Sequence, residues 1–546
     1  MTSSAEYIIV GGGTAGLVVA SRLSDNTNTR VVVLEAGPNR TDDPRVQSPD
    51  AYLGLAGSEL DWKYQTVPQP ELSDRELDHP AGKLVGGSSA INGCLFFPPS
   101  PASLNAWAAL GSPTWNWESL RPYIHNTYTL HPSPLETVAG EKPQHPLATG
   151  SIQVTQQGVK DSAGKAIVEA WNAAFQTHGY EHNSTFLAED RAVGTRPYTS
   201  SIDPVSGHRS SADSQYGAAL AGRDNVSIVT GATVQRILLD STSDGSLVAT
   251  EVEAQVDGRI TTFKASKEMN LAAGVFQSPK LLELSGIGKA SLLRELGIDP
   301  LVDLPGVGQN MQNHIIAGLS IGLKPNPEVQ SITPGIKAMA FVRLPDDVQQ
   351  KLLNPRIASD SPRSSIIKST LQDPNEASAI LALSILSPNL AGLGIGLTFP
   401  FSSGSTHAQS IDPNAMPRFD AGFLTDNLDL DLLVSHVQQF IDIVNSDTSL
   451  TLFLQQCQIP TDRTTLEALL RASLAIPAHH SCGTAAMLPR DAGGVVGEDL
   501  KVYGIKNLRI VDASIFPLIS NTNPMCTVYA VAAKAADVIK GSSNTA

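Results

Sequence analysis

The residues near the N-terminus carry the first recognisable chemistry. Gly11, Gly13 and Gly16 fall in the spacing GxGxxG within the run Gly11-Gly12-Gly13-Thr14-Ala15-Gly16. Glycines at that spacing allow a tight turn, let a pyrophosphate approach the backbone and let a helix pack closely on a strand. Thr14 and Ala15 open the following segment, where amide donors and partial positive charge at a helix N-terminus would meet phosphate oxygens. Glu35 follows Gly16 by 19 residues, the place for a carboxylate that accepts hydrogen bonds from both hydroxyls of a ribose. An acid there disfavours a 2′-phosphate, so NADP is set aside and NAD and FAD remain. A second glycine-rich run, Val85-Gly86-Gly87-Ser88-Ser89, reads as an ordinary turn when taken alone.

These residues need elements to position them. Tyr7-Ile8-Ile9-Val10 reads as a short apolar strand, Leu17–Ser24 as a helix and Arg30–Leu34 as a second strand, which completes a βαβ unit. Ser227–Thr230 and Val234–Leu238 read as strands around Gly231-Ala232-Thr233. Residues 377–411 contain no Asp, Glu, Lys or Arg, yet Leu393, Ile395, Leu397, Phe399 and Phe401 alternate with small or polar residues. Period 2 predicts strands rather than a bilayer helix. Near the C-terminus, Arg509–Ser514 reads as a strand and about Cys526–Ile539 as a helix. Asn523 and Pro524 then supply an N-cap and N1 signature.

The bulk composition narrows the function classes. Lys plus Arg total 38 against 53 Asp plus Glu, a net charge of −15, so the phosphate neutralisation that nucleic-acid binding requires is not available globally. Cys94, Cys457, Cys482 and Cys526 are scattered without CxxC spacing, which argues against a structural zinc site or a disulfide framework. No metal site is expected. The apolar run begins within seven residues of Met1, leaving no room for a signal peptide; the expectation is an intracellular, cytoplasmic protein without membrane insertion. The sequons at Asn183 and Asn225 then read as chance matches.

Four further segments resemble the glucose-methanol-choline (GMC) family of FAD-dependent oxidoreductases. They are Gly82-Lys83-Leu84-Val85-Gly86-Gly87-Ser88-Ser89-Ala90-Ile91-Asn92-Gly93; Leu271–Gly274 with Ser278–Gly288; Leu304–Asn310 with His314; and the run from His479 to Ile539. They occur in the family's order and, with the N-terminal unit, spread from residue 6 to 540.

The resemblance implies a cofactor, a reaction and a site. FAD would be held by Gly11, Gly13, Thr14, Ala15, Gly16 and Glu35, and by Gly86, Ser88, Asn92 and Gly93 in the second glycine segment. Val234 would meet the adenine through its backbone, and Asp512 and Ala513 the diphosphate–ribityl region. The helix end at Pro524 and Met525 would face the pyrimidine ring, where positive potential favours the reduced cofactor. Some relatives bond flavin covalently through a histidine at the place of Ile91; isoleucine has no nucleophile, so noncovalent FAD is expected. Pro477-Ala478-His479-His480-Ser481-Cys482-Gly483-Thr484 resembles the family's H-x-x-G-T motif and aligns His480 with the catalytic base, with His479 as the rival if the register slips by one. His480 would take the hydroxyl proton while hydride passes to flavin N5. Asn523 aligns with the second active-site residue, whose amide could orient the substrate oxygen. Asn313 stands where an aspartate is common in the family, and Ser403 where an arginine is frequent.

The expected fold class is α/β: a Rossmann-like FAD-binding domain with a parallel sheet, plus an inserted α+β substrate domain with an antiparallel sheet. The FAD-binding domain would comprise 1–155, 205–315 and 477–546, and the substrate domain 156–204 and 316–476. Phe96, Phe97, Phe399 and Phe401 are candidate substrate-lining residues, although each taken singly reads as a plain core residue; as a lining they point to an apolar or aromatic biosynthetic alcohol of secondary metabolism. The expected reaction is oxidation of that alcohol to an aldehyde or ketone, with O₂ or another acceptor taking the electrons, in a monomer or homodimer. The alternative is a redox-silent lyase or cyclase of the same family in which the flavin is structural. A nicotinamide dehydrogenase is a third reading, opposed by the second glycine segment and the His/Asn pair.

Overall fold

The computed structural model describes residues 3–132, 150–157, 161–183, 188–354 and 361–543. Ser184 and Thr185 of the Asn183 sequon lie outside the described residues. In order along the chain the elements used below are β1 (Ser3–Val10), α1 (Thr14–Leu23), β2 (Val31–Leu34), α2 (Ser162–Thr177) and β3 (Gly194–Arg196). Then come β4 (Val226–Val229), β5 (Thr233–Ser241), β6 (Leu247–Val256), β7 (Arg259–Leu271) and α3 (Gly274–Leu284). They are followed by β8 (Ile315–Gly322), β9 (Gly335–Val342), β10 (Ala379–Ser387), β11 (Leu390–Leu397) and α4 (Asn427–Ser446). The last are β12 (Ala475–Pro477), β13 (Leu508–Ile510) and α5 (Met525–Ser543).

Tyr7, Ile8, Ile9 and Val10 are buried on both faces, as are Val31 to Leu34, the pattern of strands inside a parallel sheet with both faces covered. The first sheet runs β5-β6-β7-β1-β2-β4, with β13 also on β7. β7 pairs antiparallel with β6 through its first half and parallel with β1 and β13 through its second. The carboxyl ends of β1, β7 and β13 therefore converge. Gly11 N–H donates to Leu34 O at 2.8 Å, Ala272 N–H to Val10 O at 2.7 Å and Val511 N–H to Leu271 O at 2.9 Å. Outside the carboxyl ends of parallel strands is where open α/β sheets bind ligands. α1 packs on this sheet and α5 packs along α1, the two joined by an Arg22–Asp537 ion pair of 2.9 Å.

The second sheet is antiparallel throughout and runs β12-β8-β11-β10-β9-β3. The alternation read in residues 377–401 is realised as the hairpin β10–β11. Leu381, Leu383, Ile385, Leu393 and Ile395 are buried on one face, where α4 packs on β11, while Gly392, Gly394 and Gly396 lie half-exposed on the other. The molecule is thus a mixed Rossmann-like sheet, parallel over β13, β7, β1, β2 and β4 and extended by the antiparallel strands β6 and β5, joined to an antiparallel sheet, the α/β class read from the sequence. No helix among the described residues is long and apolar enough to cross a membrane.

Two local expectations are corrected. Asn523 does not cap α5: Val528 N–H donates to Pro524 O at 2.9 Å, so Pro524 supplies the first helical carbonyl. The Asn523 side chain turns instead to donate through Nδ2 to Leu95 O. Phe96, Phe97, Phe399 and Phe401 are at most 4% exposed and do not belong to the wall of the large cavity. Phe96 packs on Tyr128 and Phe97 on Phe341, because inward-pointing apolar positions near strand ends are claimed by the core.

Candidate active site

A cavity of about 1220 Å³ opens where the parallel strands end and reaches the edge of the antiparallel sheet. That exceeds the roughly 300–1,000 Å³ of a pocket for one drug-sized molecule, leaving room for a dinucleotide and a second ligand.

The floor is built from the N-terminal unit. Gly11 has φ +106° and a Cβ there would lie 2.3 Å from Ala272 O, so only glycine lets β1 turn beside β7. Gly11, Gly13, Thr14 and Ala15 line the cavity. α1 starts at Gly13 without a side-chain cap, leaving its first amides for a ligand. Gly16 is not on the wall: a Cβ there would sit 1.9 Å from Gly11 O, so it serves the turn itself. Glu35 lines the cavity, is buried, and accepts hydrogen bonds from Gly12 N–H and Gly37 N–H, each at 2.8 Å. Burial pushes its carboxyl up to about 7, although both amides and Lys83 pull the other way.

The second glycine segment meets the first backbone to backbone. Gly86 N–H donates to Gly12 O at 2.8 Å, and a Cβ at Gly87 would lie 2.8 Å from Gly13 Cα. Gly86 packs against Asp213 rather than lining the cavity, whereas Ser88, Asn92 and Gly93 are on the wall. Asn92 also donates through Nδ2 to Met525 Sδ at 3.1 Å, tying this segment to the start of α5. Val234, Asp512, Ala513, Pro524 and Met525 all line the cavity. The Asp512 carboxylate is already engaged: Oδ2 accepts from Gly274 N–H at 2.9 Å and Ser278 Oγ at 2.6 Å, and Oδ1 from Ser514 N–H at 2.8 Å. Glycine backbones on two sides, a free helix N-terminus and a buried carboxylate at the end of the second strand form a cradle that fits FAD. Ile91, also on the wall, offers no atom for a covalent link.

His480 sits on the same wall. Its backbone N–H donates to Asn313 Oδ1 at 2.8 Å and its ring Nδ1 lies 2.9 Å from His314 Nδ1. Burial, and then the neighbouring His314, His479 and His79, hold the imidazole well below its usual value, so it is neutral at neutral pH. His479 is also on the wall, in a left-handed conformation with φ 60°. Its ring lies edge-on to His79, 5.1 Å between centroids. Burial, opposed by Asp61 and Asp78, lowers its pKa. Asn523 reaches the cavity too, with Oδ1 buried and without a partner among the described residues.

Sequence reasoning missed Arg209. This buried guanidinium donates through Nε to Val46 O at 3.0 Å and through Nη1 to Asn92 Oδ1 and Cys94 Sγ, each at 2.9 Å, which fixes the Asn92–Cys94 turn. No local spacing signals it, since its partners lie more than 100 residues away. Tyr52, Trp62, Tyr64, Tyr198 and Phe276 are the aromatic wall residues, in place of the four phenylalanines.

A two-sheet fold with a dinucleotide cradle at the parallel strand ends, and a histidine facing into it, defines a nucleotide-cofactor oxidoreductase. The GMC oxidoreductase family models match residues 5–316 and 400–532, and the chain belongs to that FAD-dependent family. A GMC oxidoreductase family protein from Malassezia sympodialis, Mala s 12, is 32% identical over 98% of this chain and 93% of its own length. Among solved structures, an FAD-dependent oxidoreductase from Chaetomium thermophilum superposes with a TM-score of 0.88 at 26% identity, covering 99% of this chain and 100% of that one. A fungal aryl-alcohol oxidase gives 0.84 at 26% identity with both chains fully covered.

Proposed function

We propose that this enzyme oxidises an alcohol with an apolar or aromatic body to an aldehyde or ketone, using noncovalent FAD, with His480 as the proton acceptor. The observation that carries the reading is the His480 ring on a wall of the cofactor cradle: one nitrogen is engaged by His314, and the other makes no hydrogen bond among the described residues. Bound in the cradle, the flavin would supply the acceptor for the two electrons and the carbon-bound hydrogen of the alcohol.

The protein's own part is positioning and proton transfer. His480 takes the hydroxyl proton: the O–H bond breaks and an N–H bond forms at the free ring nitrogen. A neutral imidazole can accept that proton. Asn523, anchored through Nδ2 on Leu95 O, holds a polar group beside the path of the substrate oxygen. Glu35 would hold the ribose and Gly11, Gly13, Thr14 and Ala15 the pyrophosphate. Ser88, Asn92 and Gly93, with Pro524 and Met525, would enclose the ring system, and Val234, Asp512 and Ala513 would complete the wall. Residues 1–155, 205–315 and 477–546 form the cofactor domain in this reading. The aromatic wall and the likeness to an aryl-alcohol oxidase support the substrate class.

The test is an anaerobic panel of aliphatic and aryl alcohols added to purified yellow protein, read by flavin absorbance. Bleaching with carbonyl formation is expected, as is release of all colour by acid precipitation. Conversion of substrate without bleaching would instead establish the redox-silent lyase or cyclase, and colour retained in the pellet would refute noncovalent binding.

A further inference from the structure

We propose that His314 is a positioning residue that fixes the tautomer of His480, keeping the proton on Nδ1 and the lone pair of Nε2 free for the substrate. The inference rests on the reading of His480 as base and adds a second residue to it. It follows from matching hydrogen-bond donors to acceptors around the two rings.

The carbonyl oxygen of Thr398 can only accept, and His314 Nε2 lies 3.1 Å from it, so Nε2 of His314 carries a hydrogen. Thr398 is itself held in place, donating through N–H to Ser378 O at 3.2 Å and through Oγ1 to Ala377 O at 2.6 Å. Burial keeps His314 neutral, its pKa pushed down to about 4, and a neutral ring with a hydrogen on Nε2 has a lone pair on Nδ1. That lone pair faces His480 Nδ1 at 2.9 Å. His480 must therefore donate from Nδ1. The opposite tautomer would set two lone pairs against each other in a buried site and leave both unpaired.

The geometry around the pair is restrained from both backbones. His480 N–H donates to Asn313 Oδ1 at 2.8 Å and Ala478 N–H to His314 O at 3.0 Å, and the two rings stand at 89° with centroids 5.1 Å apart. Buried carboxylates often hold the Nδ1–H of a catalytic histidine; here a neutral imidazole does so. It selects the tautomer without adding a negative charge that would raise the basicity of His480. Once Nε2 has taken the substrate proton, the Nδ1–H bond to His314 persists unchanged, so no proton moves beyond His480.

The test uses FAD-loaded full-length protein carrying His314→Phe or His314→Gln, with FAD content and melting temperature as controls. Glutamine can donate from Nε2 to Thr398 O and accept at Oε1 from His480, which reproduces the role of His314. Nitrogen-15 shifts of His480, assigned by their loss in His480→Ala, report the tautomer; stopped-flow flavin reduction reports the rate. The wild type and His314→Gln are expected to show Nδ1–H on His480, with reduction within about tenfold of each other. His314→Phe is expected to gain the Nε2–H form and to slow reduction about 10²–10⁴-fold, the scale of losing tautomer control in a serine-protease triad, with little change in substrate affinity. An Nε2–H form of His480 in the wild type or in His314→Gln, or a purely Nδ1–H form in His314→Phe, overturns the inference even if His480 is the base. Undiminished reduction in His480→Ala overturns the base reading itself.

Discussion

Replacing Asn313 by aspartate changes one atom of shape and one unit of charge directly behind His480. Asn313 Oδ1 accepts the His480 backbone N–H at 2.8 Å, and its Nδ2 is buried without a partner among the described residues. An aspartate would keep the acceptor, remove the unpaired donor and place a carboxylate near the ring. At ~6 Å and an effective dielectric of ~20, one charge pair is worth about 3 kcal/mol, or about 2 units in the pKa of His480. Desolvation of the new carboxylate would reduce this to about 1–2 units. The other titratable groups facing His480 are His314, His479 and His79, and each depresses it. The assay is the pH dependence of anaerobic flavin reduction at saturating alcohol. Because the base must be unprotonated, the wild-type rate should be flat above pH 6.5 and fall only well below it. In Asn313→Asp the falling limb should move to higher pH by about 1–2 units, with the plateau rate retained. An unmoved limb in a variant that binds FAD normally would refute the argument, since neither His480 as base nor its contact with Asn313 could then stand.

Other perturbations follow from the same geometry. Gly87→Ala would drive a Cβ to 2.8 Å from Gly13 Cα at a φ of +53°; FAD affinity should fall about 10–100-fold, matching an overpacking cost of about 1–3 kcal/mol, and a wild-type flavin titration would show that the two segments can separate freely. Asn523→Ala should retain FAD and slow reduction about 10–10³-fold, whereas a wild-type rate would leave its bond to Leu95 O as its only role. His436 is buried against Ser378 Oγ at 2.9 Å and held by burial down to about 3. Its folded pKa lies below its unfolded one, so stability is lost as pH falls below 6.5, by about 2 kcal/mol at pH 5. His436→Gln should remove that part of the acid sensitivity in urea unfolding, and parallel pH curves for the two proteins would contradict it.

What could be read in the sequence was local. The strand, glycines, helix, strand and acid from Tyr7 to Glu35 lie within one βαβ unit, so their spacing alone defines the cradle floor. The alternation in Leu393, Ile395 and Leu397 gave the hairpin, because period 2 survives wherever one face of a sheet is buried. Long-range geometry was not legible. The two halves of β7 pair with different neighbours, and His314 meets His480 across 166 positions. Asn523 had the right type for a cap, yet a tertiary bond to Leu95, 428 positions away, claims its amide. The four phenylalanines were apolar residues near candidate segments, and composition cannot tell a core wall from a cavity wall.

The most direct test is stopped-flow flavin reduction in His480→Ala beside the wild type, with an alcohol that bleaches the wild-type cofactor. The account predicts intact FAD binding and a reduction rate lowered by about 10²–10⁴-fold. A variant that binds FAD and is reduced as fast as the wild type would contradict it.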